Sequence, residues 1–391
     1  MAHSALRRSP YWSADDVDLD ELVALIDRPT ATADYPNART IVDGIVVYDA
    51  TAIDRDPESD ARRDVLGEIA FALSDGPGIV VIRNGVAPDV LDRATAAFHT
   101  LIESERDSNH GGGDHFAKAG ANDRVWNALE KLAVADPATF VDYYESEAVA
   151  LASLAWLGPG YQITSQVNVV NPGGDAQSPH RDYHLGFMSE AQVARYPGHV
   201  HEMSSRLTLQ GAVAHVDMPV ETGPTKLLPH SQKYPLGFLA YRHPEVIELF
   251  ETRFRQPGLT AGDTLFFNPA VFHAAGSNRT TDVRRMANLL QVSSPFGIAM
   301  ESIDRARISR AVHPELLERR AAGWSSAAIG RVIAAAAQGY AFPTNLDFDP
   351  PIDGLAPTSQ ADLLHEAVFD GWSADRLDAA LDAHAHRRHS H

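Results

Sequence analysis

Cysteine is absent from this 391-residue chain. That absence removes disulfide stapling, thiolate nucleophiles, iron–sulfur ligation and cysteine zinc sites. Any bound metal must therefore sit on His, Asp or Glu, and the 18 histidines make this feasible. Long apolar runs are missing too: nothing approaches the ~20 consecutive residues needed to span a bilayer. The N-terminal stretch carries Arg7 and Arg8 but turns acidic where a signal peptide would have its apolar core. A soluble, cytoplasmic protein is expected. Positive charge is scarce, with 33 Lys+Arg against 52 Asp+Glu and a formal charge of −19. Such a field repels phosphate backbones and anionic lipid, so neither nucleic acid nor membrane is an expected partner. With 44% hydrophobic and 22% charged residues, the chain can bury a core.

Residues 1–75 read as an irregular arm ending in a helix over Asp60 to Ser74, where Val65, Ile69, Ala72 and Leu73 recur at helical spacing. A β-branched run, Gly78 to Ile82, predicts a strand, and Pro88 to Glu105 a helix with Pro at its first turn. Three adjacent glycines, Gly111 to Gly113, lose much backbone entropy on ordering, which makes 108–118 a candidate lid. Helical periodicity resumes over Arg124 to Ala133 and Pro137 to Trp156. From Tyr161 to Ser294 the pattern changes to short β-type runs broken by turn residues, the signature of a sandwich or jelly roll. After Pro295 helices return.

His-x-Asp on a strand presents an imidazole and a carboxylate to one ion, because side chains i and i+2 share a face. Two His and one carboxylate on one side of a divalent iron leave its other positions open for an oxidant and a co-substrate. Two such motifs occur, His180-Arg181-Asp182 and His215-Val216-Asp217, against about 1.6 expected by chance at this composition. Context separates them. His180 follows the loop Asn171 to Pro179, a mouth-like turn where open coordination positions can meet substrate. His215 lies within a continuous run, Leu207 to Val216, that reads as ordinary sheet packing. The third ligand must come from elsewhere, and His273, closing the apolar run Phe266 to Phe272, is the best candidate. Residue type alone does not separate such a ligand from a buried structural histidine.

Taken together, Ser178-Pro179-His180-Arg181-Asp182, the turn Glu221-Thr222-Gly223 to Pro229-His230-Ser231-Gln232-Lys233, His273 followed by Gly276-Ser277-Asn278-Arg279, and Arg284 agree in order and spacing with a known pattern. The chain resembles the phytanoyl-CoA dioxygenase (PhyH) family of Fe(II)/2-oxoglutarate oxygenases over roughly 76–294. The resemblance implies a mainly β fold, a double-stranded β-helix (cupin-like jelly roll) with N- and C-terminal helical additions, as a single oxygenase domain over 1–391. Its parts are an arm and helix over 1–75, helical support over 76–160, the jelly-roll core over 161–294 and a helical extension over 295–391. It also implies Fe(II), 2-oxoglutarate and O2, with His180, Asp182 and His273 as both metal ligands and catalytic centre.

Arg284, eleven residues after His273, matches the arginine that grips the far carboxylate of 2-oxoglutarate, which would turn Arg285 the other way. Asn168, Thr208 and Lys118 are further co-substrate candidates by the same resemblance, with Gln210 and Gln291 similar cases. Ala275 stands where relatives often carry a serine that helps hold the co-substrate. If the metal strand runs on past Asp182, His184 shares the ligand face and lines the substrate pocket, with Trp126, Arg124 and Arg206 as other substrate candidates. The expected reaction is hydroxylation of a C–H bond in a small molecule, with release of succinate and CO2. Desaturation, cyclisation or epoxidation of a secondary metabolite stays open, as does a non-catalytic jelly-roll binding protein; Asp182 disfavours halogenation, which needs a small residue there.

Overall fold

The computed structural model describes residues 10–107, 121–352 and 354–390. The candidate lid 108–118, with Lys118, lies outside the described residues. Ten strands are present among them: β1 (Thr40–Val42), β2 (Ile45–Asp49), β3 (Ile79–Arg83), β4 (Asn122–Val125), β5 (Gln162–Val170), β6 (Thr208–Ala214), β7 (Lys226–Leu227), β8 (Thr264–Phe267), β9 (His273–Ala274) and β10 (Arg285–Ser293). Eight form one sheet in the order β1-β2-β3-β8-β6-β10-β5-β4, antiparallel except where β2 meets β3. The spine is β10, paired with β5 from Arg285↔Val170 to Ser293↔Gln162 and with β6 on its other side. A second, smaller sheet pairs β7 with β9, extended by single bridges at His180↔His273 and Leu227↔Arg255.

The central strands of the large sheet are buried on both faces, one packed against helices and the other lining a cavity. Leu209 and Val213 of β6, Val167 and Val169 of β5, and Met286, Leu290 and Val292 of β10 pack with Phe98, Leu132, Phe140 and Leu151 from the helices. Helices from the end of the chain, Arg305–Ala321 and Ser326–Ala336, add Ile308, Leu316, Ile329 and Ile333 to this core. Gln166, Asn168, Gln210, Ala212, Ala287, Leu289 and Gln291 occupy the other face and line a cavity.

Helices account for 46% of the described residues and strands for 15%, which corrects the expected mainly β character to a large mixed sheet with many helices. Part of the difference lies inside the presumed strand region. Gly198–Arg206 is a helix feeding directly into β6, and Pro244–Arg253, with Pro at its first turn, is another. Two boundaries also shift. Arg124 lies on β4 and not on a helix, and the segment 137–156 breaks at Ser146, whose side chain caps a new helix at Val149. His384, near the end of the chain, is buried in the helix Ala374–Arg388 with Nε2 at the Thr358 carbonyl. Among the described residues no helix is long and apolar enough to cross a membrane.

Candidate metal centre

His180 and His273 face each other across a single antiparallel bridge, His180 N–H to His273 O at 2.9 Å and His273 N–H to His180 O at 3.1 Å. Asp182 is tied in by its own N–H, which donates to the Pro269 carbonyl at 3.2 Å. The His180 Nδ1 lies 2.9 Å from the Ser178 carbonyl, and the His273 Nδ1 lies 2.9 Å from the Val271 carbonyl. A carbonyl oxygen only accepts, so both protons sit on Nδ1 and both Nε2 lone pairs are free. Those lone pairs converge on one carboxylate: His180 Nε2 is 3.6 Å from Asp182 Oδ1, and His273 Nε2 is 3.3 Å from Oδ2.

The three ligand atoms lie within 4.8 Å of one another, the one such cluster among the described residues. Two lone pairs and an anionic oxygen brought this close need a cation between them, and imidazole with carboxylate suits Fe(II). The donor set therefore fits the metal that the sequence implies. Burial, then the neighbouring His273, pushes the His180 imidazole below its ordinary pKa, which favours the neutral ligand form. For Asp182 burial alone would push upward, but His273 and then His180, whenever either ring carries a proton on Nε2, together with the amide of Gln210 hold it well below the usual carboxylate range. Gln210 Nε2 donates to Asp182 Oδ2 at 2.5 Å.

The cavity at this cluster holds about 590 Å³, within the size range of sites for drug-sized ligands. Of the expected site residues, His180, Asp182, His273, Asn168 and Trp126 line it, as do Gln210, Gln291 and Arg124. Arg124 lies over the Trp126 ring at 5.1 Å and donates to Gln166 Oε1 at 2.9 Å. Thr208 is buried at the start of β6, outside the lining, and Arg206 is exposed at the end of its helix.

His184 does not extend a ligand strand. Tyr183 and His184 adopt φ of +65° and +43°, the chain turns into a short helix over His184–Phe187, and the imidazole Nδ1 meets Ser204 Oγ at 3.2 Å. Phe187, which carried no motif, lines the cavity in its place.

The arginine pair is reversed relative to expectation. Arg284 is 44% exposed and reaches outward to Asp123 Oδ2 at 2.9 Å and Asn171 Oδ1 at 3.0 Å. Arg285 is buried in the cavity wall, its Nη1 donating to the Thr222 and Gly276 carbonyls at 3.2 Å each. Burial pushes its guanidinium down to about 10, with no carboxylate partner among its hydrogen bonds. The other His-x-Asp motif is structural, as the sequence context suggested. His215 is buried between Thr95 Oγ1 at 2.8 Å and Tyr143 OH at 2.9 Å, while Asp217 caps a turn at the Ala261 N–H.

Two histidines and one carboxylate grouped in an open-mouthed cavity are the donor set of non-haem iron oxygenases. Comparison with known proteins agrees. The phytanoyl-CoA dioxygenase family model matches residues 74–286, and the chain belongs to that family. It is a 2-oxoglutarate-dependent non-haem iron dioxygenase that uses Fe(II), 2-oxoglutarate and O2. Dioxygenase trt7 from Aspergillus terreus is 24% identical over 236 residues, covering 56% of this chain and 71% of that protein. Among solved structures, the carbocyclase SnoK from nogalamycin biosynthesis is similar over 66% of this chain and 92% of its own, at 18% identity and TM-score 0.44. AviO1 from Streptomyces viridochromogenes Tue57 is similar over 57% and 93%, at 19% identity and TM-score 0.41.

Proposed function

We propose that the protein hydroxylates a C–H bond of a small molecule bound in this cavity, with His180, Asp182 and His273 holding the iron and Arg285 gripping the far carboxylate of 2-oxoglutarate. The observation that carries the reading is the convergence of two Nε2 lone pairs and one carboxylate inside a cavity that also contains a buried guanidinium. The eight-stranded sheet and the short β7–β9 sheet are then the two walls of a double-stranded β-helix.

When bound, iron with 2-oxoglutarate and O2 supplies the oxidation, and the balance is R–H + O2 + 2-oxoglutarate → R–OH + succinate + CO2. The chain's own part is placement. Main-chain carbonyls fix both imidazoles in the ligating tautomer, and the Gln210 amide holds Asp182 Oδ2. Arg285 offers a planar fork suited to a carboxylate, in a setting partly cleared of water. Trp126, Phe187 and Met300 provide apolar surface for the substrate, with Gln166, Asn168 and Gln291 as polar contacts. Hydroxylation asks only that one C–H bond be held at the metal, whereas cyclisation or desaturation also needs a second reacting position in place. Asp182 fills the position that a halide needs.

The test is a metabolite screen with Fe(II) and 2-oxoglutarate, scored for succinate release above the uncoupled background and for product mass. A substrate-coupled product heavier by one oxygen atom is expected. Coupled succinate with a product two hydrogens lighter overturns hydroxylation, and no 2-oxoglutarate consumption with any substrate overturns the wider reading.

A further inference from the structure

Between the two ligands of the His180-Arg181-Asp182 motif stands an arginine that touches no carboxylate among the described residues. Arg181 is 2% exposed, and its Nη2 donates to the Ser231 carbonyl at 2.7 Å and the Tyr234 carbonyl at 3.0 Å. Its guanidinium lies over the Phe238 ring at 5.0 Å and the Phe272 ring at 4.8 Å. A buried cation without a counter-charge is expensive to keep, so an arginine here asks for a reason beyond filling space. Its contacts supply one, because two of them lead back to the third ligand.

Phe272 directly precedes His273 and carries one face of the guanidinium. Ser231, whose carbonyl accepts from Arg181, also uses its hydroxyl oxygen to accept the Phe272 N–H at 2.8 Å. Two routes, one aromatic and one hydrogen-bonded, thus join Arg181 to the residue before His273. The backbone of Arg181 meanwhile links His180 to Asp182. Tyr234 extends the chain of contacts outward, its hydroxyl accepting the Asp18 N–H at 2.7 Å. Two glycines make room for this arrangement: a Cβ at Gly237 would fall within the guanidinium, and one at Gly186 would collide with the Arg181 carbonyl.

We infer that Arg181 is the positioning residue of the metal centre, holding the His180–Asp182 segment and the His273 strand at one separation so that the three ligand atoms meet. It neither ligates the metal nor touches substrate. The inference rests on His180, Asp182 and His273 being the ligands.

The test is Co(II) binding by the full chain, followed through the d–d absorption of the bound ion, which reports affinity and geometry without turnover. Arg181→Met is expected to weaken Co(II) by about 10–100-fold, the range for residues that orient metal ligands, and to change the band shape. Arg181→Lys, which keeps the charge and loses the fork, should recover part of the affinity. The matched control is Arg305→Met. Arg305 is likewise buried and bonds to the Ala335 and Ile163 carbonyls at 3.0 and 2.8 Å, away from the cavity lining. Its loss should lower the unfolding temperature and leave Co(II) affinity unchanged. Gly237→Ala displaces the guanidinium while keeping the arginine, and should weaken Co(II) as Arg181→Met does, which keeps the inference testable where Arg181→Met fails to fold. Affinity within threefold of the parent in Gly237→Ala or in folded Arg181→Met overturns the inference, as does an equal loss in Arg305→Met. Full Co(II) binding by His273→Ala removes the triad and this inference with it.

Discussion

Arg284 and Arg285 are adjacent in the chain and face opposite sides of the sheet edge: Arg285 is buried in the cavity wall, while Arg284 is 44% exposed and paired with Asp123. Both are arginines within reach of the co-substrate region by sequence count, and only the pleat of β10 distinguishes them. The register Arg285↔Val170 on β5 sets that pleat.

Arg285→Ala should therefore weaken 2-oxoglutarate binding by about 2–5 kcal/mol, the range for truncating one partner of a buried charge pair. Arg284→Ala should change it by under about 1 kcal/mol, as expected for an exposed ion pair. Anaerobic titration of 2-oxoglutarate into the Fe(II) forms, read by the visible charge-transfer band, measures both. A loss confined to Arg284→Ala would return the co-substrate to the outer arginine.

Iron stoichiometry should fall to near zero in His180→Ala, Asp182→Ala and His273→Ala and stay intact in Asp217→Ala, whose carboxylate serves a turn at Ala261. Metal analysis of the purified variants, with circular dichroism to verify folding, checks this. Full iron in folded His273→Ala is the result that breaks the assignment.

Gln210→Leu should weaken metal binding by about 10–100-fold, because the amide that donates to Asp182 Oδ2 is removed while the cavity wall keeps its volume. Competition against a chelator of known affinity reads the change. Unaltered affinity would mean that the backbone tie of the Asp182 N–H to the Pro269 carbonyl and the neighbouring His273 suffice to place the carboxylate.

His215 should make the fold acid-sensitive. Burial pushes its imidazole down to about 3 from an ordinary value of 6.5. Above pH 6.5 the imidazole is neutral in both folded and unfolded chains, and its contribution is fully present. As pH falls below 6.5 the unfolded chain takes up a proton that the folded chain refuses, so stability declines by up to about 1.4 kcal/mol per pH unit until the folded value is reached. Denaturant unfolding between pH 7 and 4.5 should show a shallower decline in His215→Asn than in the parent. Parallel slopes would assign the acid sensitivity to other groups, His230 being the next candidate with its value at about 4 through burial and Lys233.

Chemistry that resides in a short stretch of chain was legible from sequence. His-x-Asp after a Pro-Gly turn and a distal His at the end of an apolar run named the candidates, the family resemblance with its Glu221 to Lys233 turn singled out the triad, and the structure brings His180, Asp182 and His273 to one point. The β-branched run at β3, the core strands β5, β8 and β10 and the helices after Pro295 were equally readable, since hydrophobic period and turn residues are local signals. His215 could be set aside because its surroundings read as packing, and it is held by Thr95 and Tyr143.

What the sequence could not determine was which way a side chain points once both faces of a strand are buried. In β10, Met286 and Val292 pack against helices while Ala287 and Leu289 line the cavity, so apolar residues on both faces do not fix the parity, and the count of eleven from His273 selected Arg284 where the structure puts Arg285 in the wall. His184 failed for a related reason: the pairing at His180 is a single bridge that no strand continues, and positive φ at two successive residues turns the imidazole away, a conformation that residue type does not announce. Arg181 and Phe187 acquire their places only from partners distant in the chain. Local spacing determined which ligands exist, and strand pairing decided which neighbours face them, because pleat parity is a property of register and not of any one strand.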